Sequence, residues 1–110
     1  MTWTHEDAIN NAIELLRNGW IKEDYKFFNS FSGETSYCAV GALRESSEQH
    51  RLIYKVLDKV CQKATGYPII FYNDRKAETV EDIIVLYEKV RAEVGSDGML
   101  PDYKEVVENA

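Results

Sequence analysis

With 110 residues, 45% hydrophobic and 29% charged, the chain holds enough apolar side chains for one globular core and lies far from the composition of disordered proteins. The formal charge of −6 argues against a general nucleic-acid binder, because counterion release at phosphates needs clustered Lys and Arg. No apolar run approaches the roughly 18 residues that span a bilayer, and Met1 to Asp7 has no basic n-region of a secretory signal, so a cytoplasmic protein without membrane association is expected.

The spacing predicts a first helix from Thr4 to Asn18. Thr4 with Asp7 three residues on is a capping-box variant, and Ile9, Ala12, Ile13 and Leu16 recur on one face. Gly19 is the expected stop, in the left-handed conformation common at helix C-termini, with Trp20 and Ile21 folding back as a hydrophobic clasp. From Lys22 to Ser36 neither a helical nor an alternating period holds. Tyr25, Phe27, Phe28 and Phe31 are mixed with Asn29, Ser30, Ser32 and Gly33, which reads as a loop or a short hairpin with its tip near Ser32-Gly33. These rings are expected to pack down as a lid on the helical core, the alternative being an exposed adhesive patch.

Ser36 is the expected cap of a short helix running to about Arg44. Within it, Gly41 costs about 1 kcal/mol of helix propensity against Ala, a cost explained by close approach of another helix backbone. Cys38-Ala39-Val40-Gly41-Ala42-Leu43 is therefore read as the buried central element. A helix restarts at Ser46-Ser47-Glu48-Gln49, with Leu52, Ile53, Val56, Leu57, Val60, Cys61 and Ala64 as its stripe and Gly66 and Pro68 as its end. Ile69-Ile70-Phe71-Tyr72 is too short to assign as a strand and leads into a polar turn, Asn73 to Ala77. Thr79 with Asp82 caps the next helix, which buries Val80, Ile83, Ile84, Tyr87 and Val90 and closes at Gly95. A last short helix is predicted from Pro101, with Tyr103, Val106 and Val107 facing inward. The expected fold is mainly α: a compact single domain of four to five helices over 1–110, with an aromatic-rich loop or short hairpin between the first two.

Chemistry is sparsely signposted. Cys38 and Cys61 are too few for a disulfide framework and are not spaced as a zinc pair. Cys38 lies near a helix start, where free N–H groups and the macrodipole favour thiolate; with His50 as base and Asn73 as orienting amide it would make a cysteine hydrolase. A buried structural cysteine is the simpler reading. Asn73-Asp74 offers an amide and a carboxylate to a ligand, or ties down its own turn through backbone N–H groups. A single Asp there lacks the partners that calcium or magnesium requires, so neither metal nor cofactor is expected.

Trp20, Cys38-Ala39-Val40-Gly41-Ala42-Leu43, Tyr72-Asn73-Asp74 and Thr79-Val80-Glu81-Asp82-Ile83 together resemble a family of small helical domains of unknown function common in bacteriophages and bacteria. Its members carry Cys-x-x-Gly-x-Leu and a downstream aromatic-or-Leu-Asn-Asp turn followed by Thr or Ser and a helix. The likeness spans Ala8 to Val94. This chain has Tyr72 where Trp or Leu is usual, and an aromatic insert, Tyr25 to Phe31, that shorter members lack. The resemblance implies a helical scaffold and brings no catalytic residue with it.

The leading functional expectation is a non-enzymatic acidic interaction module, phage-encoded and acting in the host cytoplasm, that inhibits a host defence or transcription protein by occupying a basic surface. Its expected binding residues are Tyr25, Phe27, Phe28, Phe31, Tyr72, Asn73, Asp74 and Arg75. Nucleic acid is not an expected direct partner. One alternative sequesters a nucleotide-like small molecule, with Lys22, Lys26, Arg44, Arg75 and Lys76 converging to supply charge; the other is the Cys38, His50, Asn73 hydrolase.

Overall fold

The computed structural model describes residues 3–48 and 50–101. The expected last helix, with Tyr103, Val106 and Val107, lies outside the described residues, as does Gln49. Within them the fold is mainly helical, as the periodicities require. Helix α1 (His5–Asn18) starts on the capping box read from sequence: Thr4 Oγ1 accepts from Asp7 N at 3.1 Å and Asp7 Oδ2 accepts from Thr4 N at 3.0 Å. Its buried side is the expected Ile9, Ala12, Ile13 and Leu16, extended by Ala8 and His5.

Gly19 ends α1 differently from expectation. Its φ of 177° is extended backbone rather than left-handed. What demands glycine is space, since a Cβ there would lie 2.7 Å from Ser36 Oγ and 2.9 Å from the Thr35 carbonyl. The chain leaving α1 runs beside the second of two antiparallel strands, β1 (Lys26–Asn29) and β2 (Glu34–Tyr37), paired with Lys26 opposite Tyr37 and Asn29 opposite Glu34. Tyr37 N donates to Gly19 O at 2.8 Å and Ile21 N donates to Tyr37 O at 3.0 Å, fastening the base of this ribbon to the end of α1.

Helix α2 (Ala39–Ser46) begins later than expected and on another cap. Ser36 lies in β2, and Cys38 is the N-cap, its Sγ accepting from Gly41 N at 3.3 Å. Ala39, Val40, Gly41, Ala42 and Leu43 are all buried, so the small-residue segment is the central element. Gly41, however, does not admit another helix. A Cβ on it would sit 1.8 Å from the Tyr25 carbonyl oxygen, so the backbone pressed against α2 is that of the chain entering β1.

Helix α3 (His50–Thr65) buries Ile53, Val56, Leu57, Val60 and Cys61, while of the expected stripe Leu52 is half-buried and Ala64 exposed. It ends on Gly66 at φ +86°, the left-handed stop that glycine favours. The segment left unassigned by sequence is one helical turn, α4 (Ile69–Phe71), continued by a π-helical turn, Tyr72–Lys76, in which Ala77 N donates to Tyr72 O at 2.8 Å. Asp58 Oδ1 caps α4 by accepting from Ile69 N at 2.8 Å. Helix α5 (Val80–Arg91) starts where Asp82 Oδ2 accepts from the N–H groups of Glu78 and Thr79 at 2.8 and 3.1 Å. It stops at Arg91, short of Gly95, and Gly95 instead opens a turn with its N–H on Met99 O at 2.9 Å.

Helix α1 packs on α2 and α5, and α3 on α5 and α2, with Tyr87 fully buried between them and its hydroxyl donating to Ala39 O at 2.5 Å. The chain after α5 returns to the start of α1: Glu6 N donates to Gly98 O at 2.9 Å and Leu100 N to His5 Nδ1 at 2.9 Å. Among the described residues no helix is long and apolar enough to cross a membrane.

Candidate functional site

The π-helical turn holds Asn73 with its side chain pointing into the protein, 1% exposed. Its Oδ1 accepts from Trp20 Nε1 at 2.8 Å and from Ala39 N, an orphan donor of the α2 N-terminus, at 3.0 Å. Its Nδ2 donates to Ile21 O at 3.2 Å and to Asp74 Oδ1 at 2.9 Å, and that same Asp74 oxygen accepts from Glu23 N at 2.8 Å. One amide thus ties together the end of α1, the chain entering β1 and the start of α2. Every buried polar side-chain atom among the described residues has a partner of this kind.

Two clefts meet above this knot. The first, about 350 Å³, is lined by Glu23, Asp24, Tyr25, Cys38, Val40, Ile70, Asn73 and Asp74. The second, about 390 Å³, is lined by Tyr25, Val40, Arg44, His50, Arg51, Tyr54 and Ile70. Tyr25, Val40 and Ile70 belong to both, and across them the charge changes sign, from carboxylates on one side to guanidiniums on the other. Tyr25 is held in place by its carbonyl, which accepts from Cys38 N at 3.3 Å, and by the Arg44 guanidinium 4.8 Å from its ring centre.

The residues expected to bind a partner are distributed over three settings. Phe27, Phe28 and Phe31 stand on the ribbon, 53%, 58% and 100% exposed, and are therefore not a lid on the core. The reason is geometric: Phe27 and Phe28, successive residues of β1, face opposite sides of the two-stranded ribbon, and Phe31 lies in the turn between its strands. Tyr25, Asn73 and Asp74 line the first cleft. Tyr72 packs half-buried against the core, and Arg75 is exposed with its guanidinium 3.6 Å from the Glu23 carboxylate.

Cys38 and Asn73 share one cleft, whereas His50 lines the other, with its Nδ1 donating to Ser47 O at 3.2 Å. Cys38 is buried, 6% exposed as a residue. Burial pushes its pKa above the ordinary 9.0, outweighing the Gly41 and Val40 N–H groups that pull it down. The expected activation at a helix start is thus reversed by desolvation. Cys61 is fully buried and shifted the same way, again by burial first. Native protein at neutral pH is accordingly expected to leave both thiols largely unreacted toward iodoacetamide over minutes and to label both once unfolded; rapid stoichiometric alkylation of Cys38 in the folded state would contradict the burial.

The basic residues expected to converge are each engaged separately. Lys22 Nζ donates to Ala77 O at 2.7 Å, Lys26 pairs with Glu45 at 2.6 Å, Arg75 faces Glu23, and Lys76 lies 5.1 Å from the Tyr67 ring centre. Of the expected set, Lys26 and Arg44 border one groove of about 310 Å³ together with Glu45, and Arg44 also shares the second cleft with Arg51. Arg51 and Tyr54 escaped sequence reading because they fall on the polar side of a strong amphipathic stripe, where a solvated face is the default. The aromatic at Tyr54 beside His50 and Arg51, one helical turn apart, was the available signal. No group of three or more His, Cys, Asp or Glu able to hold a metal occurs among the described residues. No family model, curated protein or solved structure matches the chain.

Proposed function

We propose that the protein is a non-enzymatic interaction module that docks a partner protein on its aromatic ribbon. The observation that carries this reading is the exposure of Phe27, Phe28 and Phe31 on a ribbon projecting from a well-sealed core. Burying one such side chain is worth about 1.5–3 kcal/mol, so three in water are a sizeable reserve of binding energy. Backbone geometry adds a second handle. The Cys38 N to Tyr25 O bond and the outward bonds of Tyr37 set the parity of the ladder. In that parity Lys26 and Phe28 direct their N–H and C=O groups away from β2, leaving an open edge for an extended partner segment.

An acidic exterior favours encounter with a basic partner surface, so the partner this reading expects is a host protein that is inhibited when such a surface is occupied. The test is a photo-crosslinking residue at position 31 in cells of the source organism. A discrete heteromeric adduct is expected, lost when Phe28→Ser is added and absent when the crosslinker is placed at Glu14 instead. Only diffuse adducts, or the same pattern from position 14, would reject the docking surface.

A further inference from the structure

We propose that the cleft between Tyr25 and Tyr54 is a binding site for a single phosphomonoester group carried on a flat apolar body. This rests on the cleft and is independent of the ribbon. In a chain of net charge −6, Arg44, Arg51 and His50 gather around one cavity of about 390 Å³, a volume suited to a small organic ligand. Among the described residues neither Arg44 nor Arg51 has an ion-pair partner, in contrast to Arg17, Arg75 and Arg91, which each face a glutamate. Two guanidiniums left without carboxylates beside one cavity are arranged for a doubly charged oxyanion, which they can engage through several N–H donors in fixed geometry.

The rest of the wall specifies what the phosphate is attached to. Arg44 is stacked 4.8 Å from the Tyr25 ring centre, which holds its fork in place before any ligand arrives. His50 Nδ1 is committed to Ser47 O at 3.2 Å, which orients the ring in the cavity wall. Tyr25, Tyr54, Val40 and Ile70 supply aromatic and aliphatic surface for an apolar body. Beyond Tyr25 the wall turns acidic with Glu23, Asp24 and Asp74. A polyphosphate or a nucleic-acid strand would run its further charges into those carboxylates, so the site selects one anionic group.

Isothermal titration of the full chain at low salt, with phenyl phosphate, inorganic phosphate, benzoate and phenol as probes, tests this. Phenyl phosphate is expected to bind one to one and at least about 10-fold more tightly than each of the others. Arg51→Gln and Arg44→Gln should each weaken it about 10-fold or more, the loss of a charge-assisted hydrogen bond, with the unfolding midpoint of Arg51→Gln unchanged. Arg17→Gln, which removes the same charge far from the cleft, should leave the affinity as it was. Absence of binding at millimolar phenyl phosphate, equal affinity for benzoate or phenol, or equal weakening by Arg17→Gln would each overturn the assignment.

Discussion

Gly41→Ala is expected to destabilise the protein by about 2–3 kcal/mol, although helix propensity alone would have it gain about 1 kcal/mol. The sign is decided by what lies opposite. A Cβ at this position would be 1.8 Å from the Tyr25 oxygen and 2.7 Å from the Tyr25 carbonyl carbon, both main-chain atoms that no rotamer change can move aside. Relief requires the chain entering β1 to lift from α2, which also breaks the Cys38 N to Tyr25 O bond. Urea unfolding at equilibrium measures the effect, and Tyr25→Ala combined with Gly41→Ala separates the causes. Because the obstruction is backbone, removing the ring should not rescue the alanine; full rescue, or a stability gain in the single variant, would show that the approach is looser than this.

Asn73→Ala is expected to cost about 4 kcal/mol, near the upper end for a single substitution. Truncation strands the Ala39 N–H, the Trp20 indole N–H and the Ile21 carbonyl, and releases the Asp74 carboxylate from its amide. A buried group left without its partner costs about 1–3 kcal/mol, and these losses fall on the junction of three elements. Asn73→Asp, which keeps the acceptor, should do no better, since it turns the donor facing Ile21 O into a carboxylate oxygen beside Asp74. Denaturant unfolding followed by tryptophan fluorescence reads both variants. A loss of less than 1 kcal/mol for Ala would mean that water or a shifted backbone replaces the amide.

These two residues also show what the sequence could and could not convey. Capping at Thr4 and at Asp82, the stripes of α1, α3 and α5, and the Gly66 stop were legible because each depends on residues within one or two turns. Gly41 announced its cost but not its neighbour, since Tyr25 reaches it through an irregular segment without periodicity. Asn73 reads locally as a turn residue, yet its partners Ala39 and Trp20 lie 34 and 53 positions away. Cys38 as N-cap escaped notice because serine is the commoner cap and Ser36 stood nearby. The expectation of an aromatic lid failed on the same ground: composition gives the wish of phenyl groups to be buried, whereas the direction of a two-stranded ribbon decides whether anything lies beneath them.

The bond from Leu100 N to His5 Nδ1 joins residues 95 apart, and with Glu6 N on Gly98 O it makes a seam between the first helical turn and the last described segment. Closing a loop of that length from a flexible chain carries an entropy cost of about 4 kcal/mol from the length term alone. The intervening helices must therefore be assembled before the seam can form at small cost. The Glu6 N–H at the start of α1 is therefore expected to exchange with solvent sooner than the amides of the helix interiors, because its partner is supplied by the far end of the described chain.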